Sequence, residues 1–229
     1  METRKVCYTE LAYILGIVTL ALGTAMMERA DMGMSMVVAP AYLLHLKVSQ
    51  FIPAFTFGTA EYVFQAALLL VLSIALRRAK KSYLFSFVTA VIYGLVLDLA
   101  MFLIGMVPGN GPVYRLFFYL AGMVVCSAGV ALLFHTYIAP EAYELFVKEI
   151  ADRYGYRIDR VKTVYDCCSC AVGIALSFAF FGWGHFEGVK AGTIFCALIN
   201  GWMIGRISSR LESVFTFRDG LPYRTVFEK

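Results

Sequence analysis

An apolar run over residues 82–106, SYLFSFVTAVIYGLVLDLAMFLIGM, limits what this chain can fold into more than any other feature. A helix needs about 20 mostly apolar residues to cross the hydrocarbon core of a bilayer, and this run is long enough. It also carries an acid, Asp98, well inside it. An ionisable side chain within a span is costly enough to mark a functional site by default. Only 16% of the chain is charged, against about 25% in soluble domains, so an integral membrane protein is expected. Its 229 residues hold about six spans with short loops and no soluble domain of ordinary size.

In chain order, residues 9–27 form a first span, read as retained because no clear signal-peptide cleavage site follows it. Residues 28–50 break the pattern: a polar turn, ERADMGMS, leads into MVVAPAYLLHLKVSQ, interrupted by Pro40. That segment is short for a span and apolar for a loop, which leaves an interfacial or re-entrant helix, or a surface helix packed on the bundle. The second span, 51–76, contains Glu61 and Gln65 and ends in the basic turn RRAKKS. The third is the opening run, closed by the breakers of VPGNGP. The fourth, 113–134, is followed by His135.

Residues 139–157 read as an amphipathic helix lying at a membrane surface or against the bundle. Pro140 suits its first turn, Glu144 with Lys148 and Glu149 with Arg153 are i,i+4 pairs, and Tyr143, Phe146, Val147, Ile150 and Tyr154 make its apolar stripe. A fifth span over 161–181 turns through WGHFEG into a sixth over 189–207, where Gly201 and Gly205 have the spacing of a close helix approach. The expected organisation is one membrane domain, 1–210, and a cytoplasmic tail, 211–229, with no independent fold.

With the amino terminus inside, only Arg29, Lys47, Arg115 and Lys190 of the 20 Lys and Arg residues fall outside, so both termini are expected to be cytoplasmic. The net charge of +4 is therefore read as topology and not as a nucleic-acid footprint. The order span, short irregular helix, span, span occurs twice, over 9–106 and 113–207. Three spans per half is an odd number, so the halves would be inverted. The fold class expected is all-α, a polytopic bundle of six transmembrane helices built as a 3+3 inverted-topology repeat with short interfacial or re-entrant helices.

Several stretches carry a family resemblance: GTAMMERADMGMS at 23–35, FGTAEYVFQ at 57–65, IYGLVLDL at 92–99 and GYRIDRVKTVYDCCSCAVG at 155–173. In these the chain resembles the YczE/YitT-like family of bacterial integral membrane proteins. The resemblance implies a six-span, multi-pass protein of the bacterial cytoplasmic membrane, with the family's acids in the third and fifth spans matching Asp98 and Asp166. The chain departs from the pattern where the family has Ser-Pro-Trp-Asp and Gly-Pro-Arg-Asp. Here those places hold Ser35, Met36, Val37 and Val38, then Ala139, Pro140, Glu141 and Ala142, so both motif acids are missing.

At about 1.5 Å per residue, Glu61 and Asp98 both lie roughly 12–15 Å inside the outer ends of antiparallel spans and are read as facing one another. Two such carboxyls in low dielectric share a proton or a cation; the alternative is an interfacial Glu61 and an Asp98 satisfied by an interhelical hydrogen bond. On the inner side Asp166 and His135 are read as a pair if their helices adjoin. Gln65, matched to Asp166 in the repeat, and Asn200 are read as interhelical glue or solute contacts. Cys167, Cys168 and Cys170 lack a tetrahedral metal spacing and are read as small buried packing residues. No phosphate loop, zinc motif or nucleophile elbow occurs, so neither enzyme nor cofactor is expected. The functional expectation is a transporter of a small solute, cationic and proton-coupled in its sharpest form, centred on Asp98 with Glu61 and Asp166 behind it; its partners are the lipid bilayer, the solute or proton, and a homo-oligomer is compatible. The alternatives are a non-transporting scaffold or regulator acting through a partner, or an intramembrane enzyme.

Overall fold

The computed structural model describes residues 5–78, 80–183, 187–222 and 224; positions 184–186 of the expected WGHFEG turn and the distal tail lie outside the described residues. Among the described residues the order is β1 (Lys5–Tyr8), α1 (Thr9–Ala30), α2 (Ala39–Val48), α3 (Phe57–Leu76), α4 (Lys81–Gly105), α5 (Pro112–Phe134), α6 (Ala142–Tyr154), α7 (Ile158–Phe181), α8 (Ala191–Val214) and β2 (Phe215–Arg218). Local chemistry sets several boundaries. Thr56 caps α3, its Oγ1 accepting from the Thr59 N–H at 3.1 Å. Pro40 and Pro112 occupy first turns, where no N–H is required. Gly155 ends α6 in the left-handed region at φ 67°.

Helices α1, α3, α4, α5 and the 160–181 part of α7 are long and apolar enough to cross a membrane, giving five candidate spans. Helix α8 has the same length but carries Asn200, Arg206 and Arg210 and falls outside that set. The distribution of polarity is that of a membrane protein. Leu84, Leu95, Leu99 and Phe102 of α4 face outward, while Ser86 and Thr89 of the same helix are buried. In water that arrangement would be inverted; in lipid the exposed leucines are solvated and the buried hydroxyls need partners. Ser86 and Thr89 find them in the carbonyls of Pro140 and Ala139, at 2.7 and 2.9 Å.

Helices α1 and α5 form the central crossing, with α4 against α1 and α8 against α5. Their backbones touch: a Cβ at Gly23 would lie 2.5 Å from the Cys126 nitrogen, and one at Gly129 would lie 2.6 Å from the Leu20 nitrogen. Small residues permit this approach where packing, not the hydrophobic effect, holds helices together. Helix α3 packs on α4 and α7 on α8, and the short helices α2 and α6 each touch both α3 and α7.

The all-α class holds, with one small addition: β1 and β2 pair in parallel, Lys5 opposite Phe215, strands of four residues being too short to leave a period in the sequence. Two expectations need correction. Helix α8 continues to Val214, so the first residues of the expected tail are its last turn, and the tail that follows is docked by Glu10, which accepts from the backbone of Gly220 and Leu221. Gly205 meets nothing within 4 Å, so its spacing from Gly201 marks no close approach.

Replacing Gly129 with valine forces apart a backbone contact that cannot yield locally. The expected result is a loss of about 1–3 kcal/mol or more, read as a lower melting temperature in detergent, whereas Gly205→Val leaves it within the wild-type range.

Candidate functional site

Two short helices begin at one small cavity. Ser35, Val37 and Val38 lead into α2, and Glu141, Tyr143 and Glu144 open α6; all line the same space, of about 30 Å³. Thr24 of α1, Tyr93 of α4, Cys126 of α5, Lys162 of α7 and Asn200 of α8 complete its wall. The volume suits a water molecule or a bare small ion. An Ala-Pro pair marks each start: Ala39-Pro40 opens α2, and Ala139-Pro140 lies just before α6, because proline tolerates a first turn and forbids what precedes it from continuing as helix.

The acids sit around this point. Gln65 donates from Nε2 to Glu61 Oε2 and to Glu141 Oε2, each at 3.3 Å, while its Oε1 accepts the Ala142 N–H at 3.0 Å. Tyr143 donates its hydroxyl to Glu61 Oε2 at 2.9 Å. One neutral amide therefore bridges two fully buried carboxyls. Glu61 Oε1 and Glu141 Oε1 have no hydrogen-bond partner among the described residues. Glu141 lies outside the spanning helices, and burial, reinforced by the Glu61 and Glu144 carboxyls, pushes its pKa well above the usual glutamate range.

A second group adjoins the first. Lys162, 3% exposed, donates to Glu144 Oε1 at 2.8 Å and lies 3.1 Å from Asp166 Oδ1. Asn200 stands beside Asp166, and its Oδ1 is 3.1 Å from Ser127 Oγ. Four carboxyls thus share one ammonium, and its partners are Glu144 and Asp166. Gln65 and Asp166 each stand eight residues after the first residue of their helices, and Glu61 and Lys162 each stand four after it.

Of the residues singled out in the sequence, Glu61, Gln65, Asp166 and Asn200 come together here. Asp98 does not. Its Oδ2 accepts from Thr56 at 2.7 Å and its Oδ1 from the Gly58 N–H at 2.9 Å, so it tethers the start of α3 to α4. Gly58 makes room for this: a Cβ there would be 2.1 Å from the Gly94 carbonyl. His135 does not pair with Asp166 either. It bonds Glu212 through Nε2 at 3.0 Å and the Ala131 carbonyl through Nδ1 at 2.7 Å, and stacks on Phe217 at 4.4 Å, because α8 runs further than expected and brings the tail to it.

Glu141, Tyr143, Glu144 and Lys162 are site residues that no hydropathy or spacing pattern in the sequence singles out as such. Helical spacing pairs Glu144 with Lys148, and the count of bases puts Lys162 on the cytoplasmic side, but Glu144 and Lys162 are both buried and bonded to one another. Glu149 likewise bonds Lys80 and not Arg153. The recurrence of Ala-Pro at or just before the start of each short helix is the available signal. Among the cysteines, Cys170 is buried as expected, whereas Cys167 and Cys168 are exposed. No group of three His, Cys, Asp or Glu side chains is placed to hold a metal ion among the described residues.

Fold and site together define a membrane helix bundle with a buried cluster of acids around one lysine. The chain belongs to a family of unknown function, DUF6198, matched over residues 7–209. No curated protein and no solved structure matches it.

Lys162→Met strands Glu144 and Asp166 as unpaired buried acids, and a loss of about 3–5 kcal/mol is expected; adding Glu144→Gln and Asp166→Asn recovers much of it in a thermal melt. An acid with a raised folded pKa binds more protons folded than unfolded, so its contribution falls as pH rises above the ordinary glutamate value of about 4.3. The melting temperature is therefore expected to decline as pH rises above about 5, and Glu141→Gln to flatten that decline.

Proposed function

We propose that this protein is a transporter of a small solute across the bacterial cytoplasmic membrane, coupled to protons held between Glu61 and Glu141. The observation that carries the proposal is the Gln65 bridge: two buried carboxyls on separate elements share one amide, while the nearby Lys162 ammonium is paired with Glu144 and Asp166. Two carboxyls so placed retain a proton between them or exchange it for a cation, which is the elementary act of coupled transport. Asp98 is withdrawn from the centre of the site, and Glu141 takes its place. The cavity holds no more than a water or a bare ion, so the conformation is an occluded one, and larger solutes require helix movement.

The packing supports an inverted 3+3 arrangement with α8 as a sixth span. Exchanging α1 with α5, α2 with α6, α3 with α7 and α4 with α8 maps each of the main helix contacts onto another: α1 with α4 onto α5 with α8, α3 with α4 onto α7 with α8, and α2 with α7 onto α6 with α3. The equal offsets of Glu61 and Lys162, and of Gln65 and Asp166, fit the same relation. In such repeats the solute site lies where the broken or short helices of the two halves meet. Arg115 and Lys190, two of the few bases expected outside, meet at Asp31, which fits an orientation with both termini on the cytoplasmic side. The order of elements also agrees with the YczE/YitT-like resemblance.

A thermal-stability screen of inorganic cations, amino acids, polyamines and thiols at about pH 5.5 and about pH 7.5 tests the reading. A ligand at about 100 times its Kd adds about 2.7 kcal/mol. A compound is expected to stabilise the wild type and Asp98→Asn but not Glu61→Gln or Glu141→Gln. Loss of the effect in Asp98→Asn alone, or stabilisation by no compound while the wild type melts cooperatively, overturns the assignment.

A further inference from the structure

An apolar groove of about 420 Å³ opens on the side of the bundle, between α3, α6 and α7. Phe64 and Leu68 of α3, Phe146 of α6, and Val164, Tyr165 and Val172 of α7 line it. It runs along α7 from Val161 to Val172, about 16 Å at 1.5 Å per residue. Val164 is 64% exposed and Val172 48%, on a face that candidate spans present to lipid. The volume falls within the range of small-molecule sites, about 300–1,000 Å³.

The back wall of this groove is the front wall of the acid cluster. The Phe64 ring lies 6.3 Å from the Tyr143 ring, and the Tyr143 hydroxyl donates to Glu61. Phe64 also precedes Gln65, the bridge between Glu61 and Glu141. Tyr165 stands against Phe146 at 5.4 Å and has the Lys162 ammonium 5.7 Å from its ring. That ammonium is already engaged by Glu144 and Asp166. The charge still to be matched behind the aromatic wall is therefore negative.

We propose that the solute of the Glu61–Glu141 site is a lipophilic monovalent cation, an organic ammonium or phosphonium, which reaches it sideways from the bilayer through the groove between α3, α6 and α7. This rests on the transport reading and gives it a substrate class. A strongly hydrated cation would gain nothing from an apolar route and would lose its water in it. An anion would meet the excess of carboxyls. A hydrophobic cation dissolves in the groove, is attracted by the faces of Phe64, Phe146 and Tyr165, and finds its counter-charge one aromatic layer deeper. Passage requires that layer to part, since the inner cavity is too small to accept the ion as it stands.

Tetraphenylphosphonium is the probe, with triphenylphosphine oxide as its neutral counterpart, measured by equilibrium dialysis against the full chain in nanodiscs. Saturable binding of the phosphonium and not the oxide is expected. Val164→Trp fills the groove from an exposed position and is expected to weaken binding about tenfold or more, as is Glu61→Gln; Leu198→Trp, on the exposed face of α8, leaves it unchanged. Val172→Phe is the second groove variant should Val164→Trp melt abnormally. Equal binding of the neutral compound identifies a plain lipid crevice and overturns the proposal, as does undiminished binding in both groove variants or in Glu61→Gln. If the phosphonium does not bind while another compound stabilises the protein through Glu61 and Glu141, the substrate class fails and the transport reading stands. If no compound acts through those residues, both fail.

Discussion

A lysine buried in a membrane bundle must meet its counter-charges there, and the position of Lys162 between Glu144 and Asp166 constrains everything around it. Taking such charges out of water costs several kcal/mol per ion unless geometry is good, so α6 cannot drift from α7 without exposing an acid. Asp166 extends the constraint to Asn200 on α8, and Asn200 to Ser127 on α5. A chain of polar contacts thus runs across the half of the bundle that contains α5 to α8. At the same offsets from its own first residue, α3 holds Glu61 and Gln65, an acid and an amide where α7 has a lysine and an acid.

That asymmetry gives the site its character. Gln65 is neutral and can satisfy hydrogen bonds without compensating charge, so the two carboxyls it joins remain responsive to a proton or an arriving cation. Lys162 neutralises its neighbours and holds the scaffold. Such a division, a charge-matched group beside one that can still take up a proton, is what the proposed coupling to protons rests on.

The scaffold tolerates this polar centre because its remaining contacts are close and apolar. At Gly23 and Gly129 the α1 and α5 backbones meet with no side chain between them, and the wall formed by Phe64, Tyr143, Phe146 and Tyr165 separates lipid from acid by single aromatic layers. Tyr143 serves both sides, presenting a ring to Phe64 and a hydroxyl to Glu61. Asp98, by contrast, spends its carboxylate on the start of α3, a local job that its depth along the chain did not reveal.

Hydropathy is summed along the chain, so the sequence by itself determined the membrane class, the long helices, the two short irregular ones and the candidacy of Glu61, Gln65, Asp166 and Asn200. Which polar groups meet depends on helix rotation and crossing, which no single segment encodes. Glu144 and Lys148 satisfy a helical spacing rule as well as Glu144 and Lys162 satisfy a spatial one, and only burial decides between them. The same is true of Asp98, deep by residue count yet turned to the end of its neighbour, and of His135, whose partner arrives on a helix longer than its apolar stretch. Tertiary structure alone brought Ala-Pro starts from both halves to one cavity, because the cost of an unpaired charge in a dry interior is paid by the assembled bundle and not by any one helix.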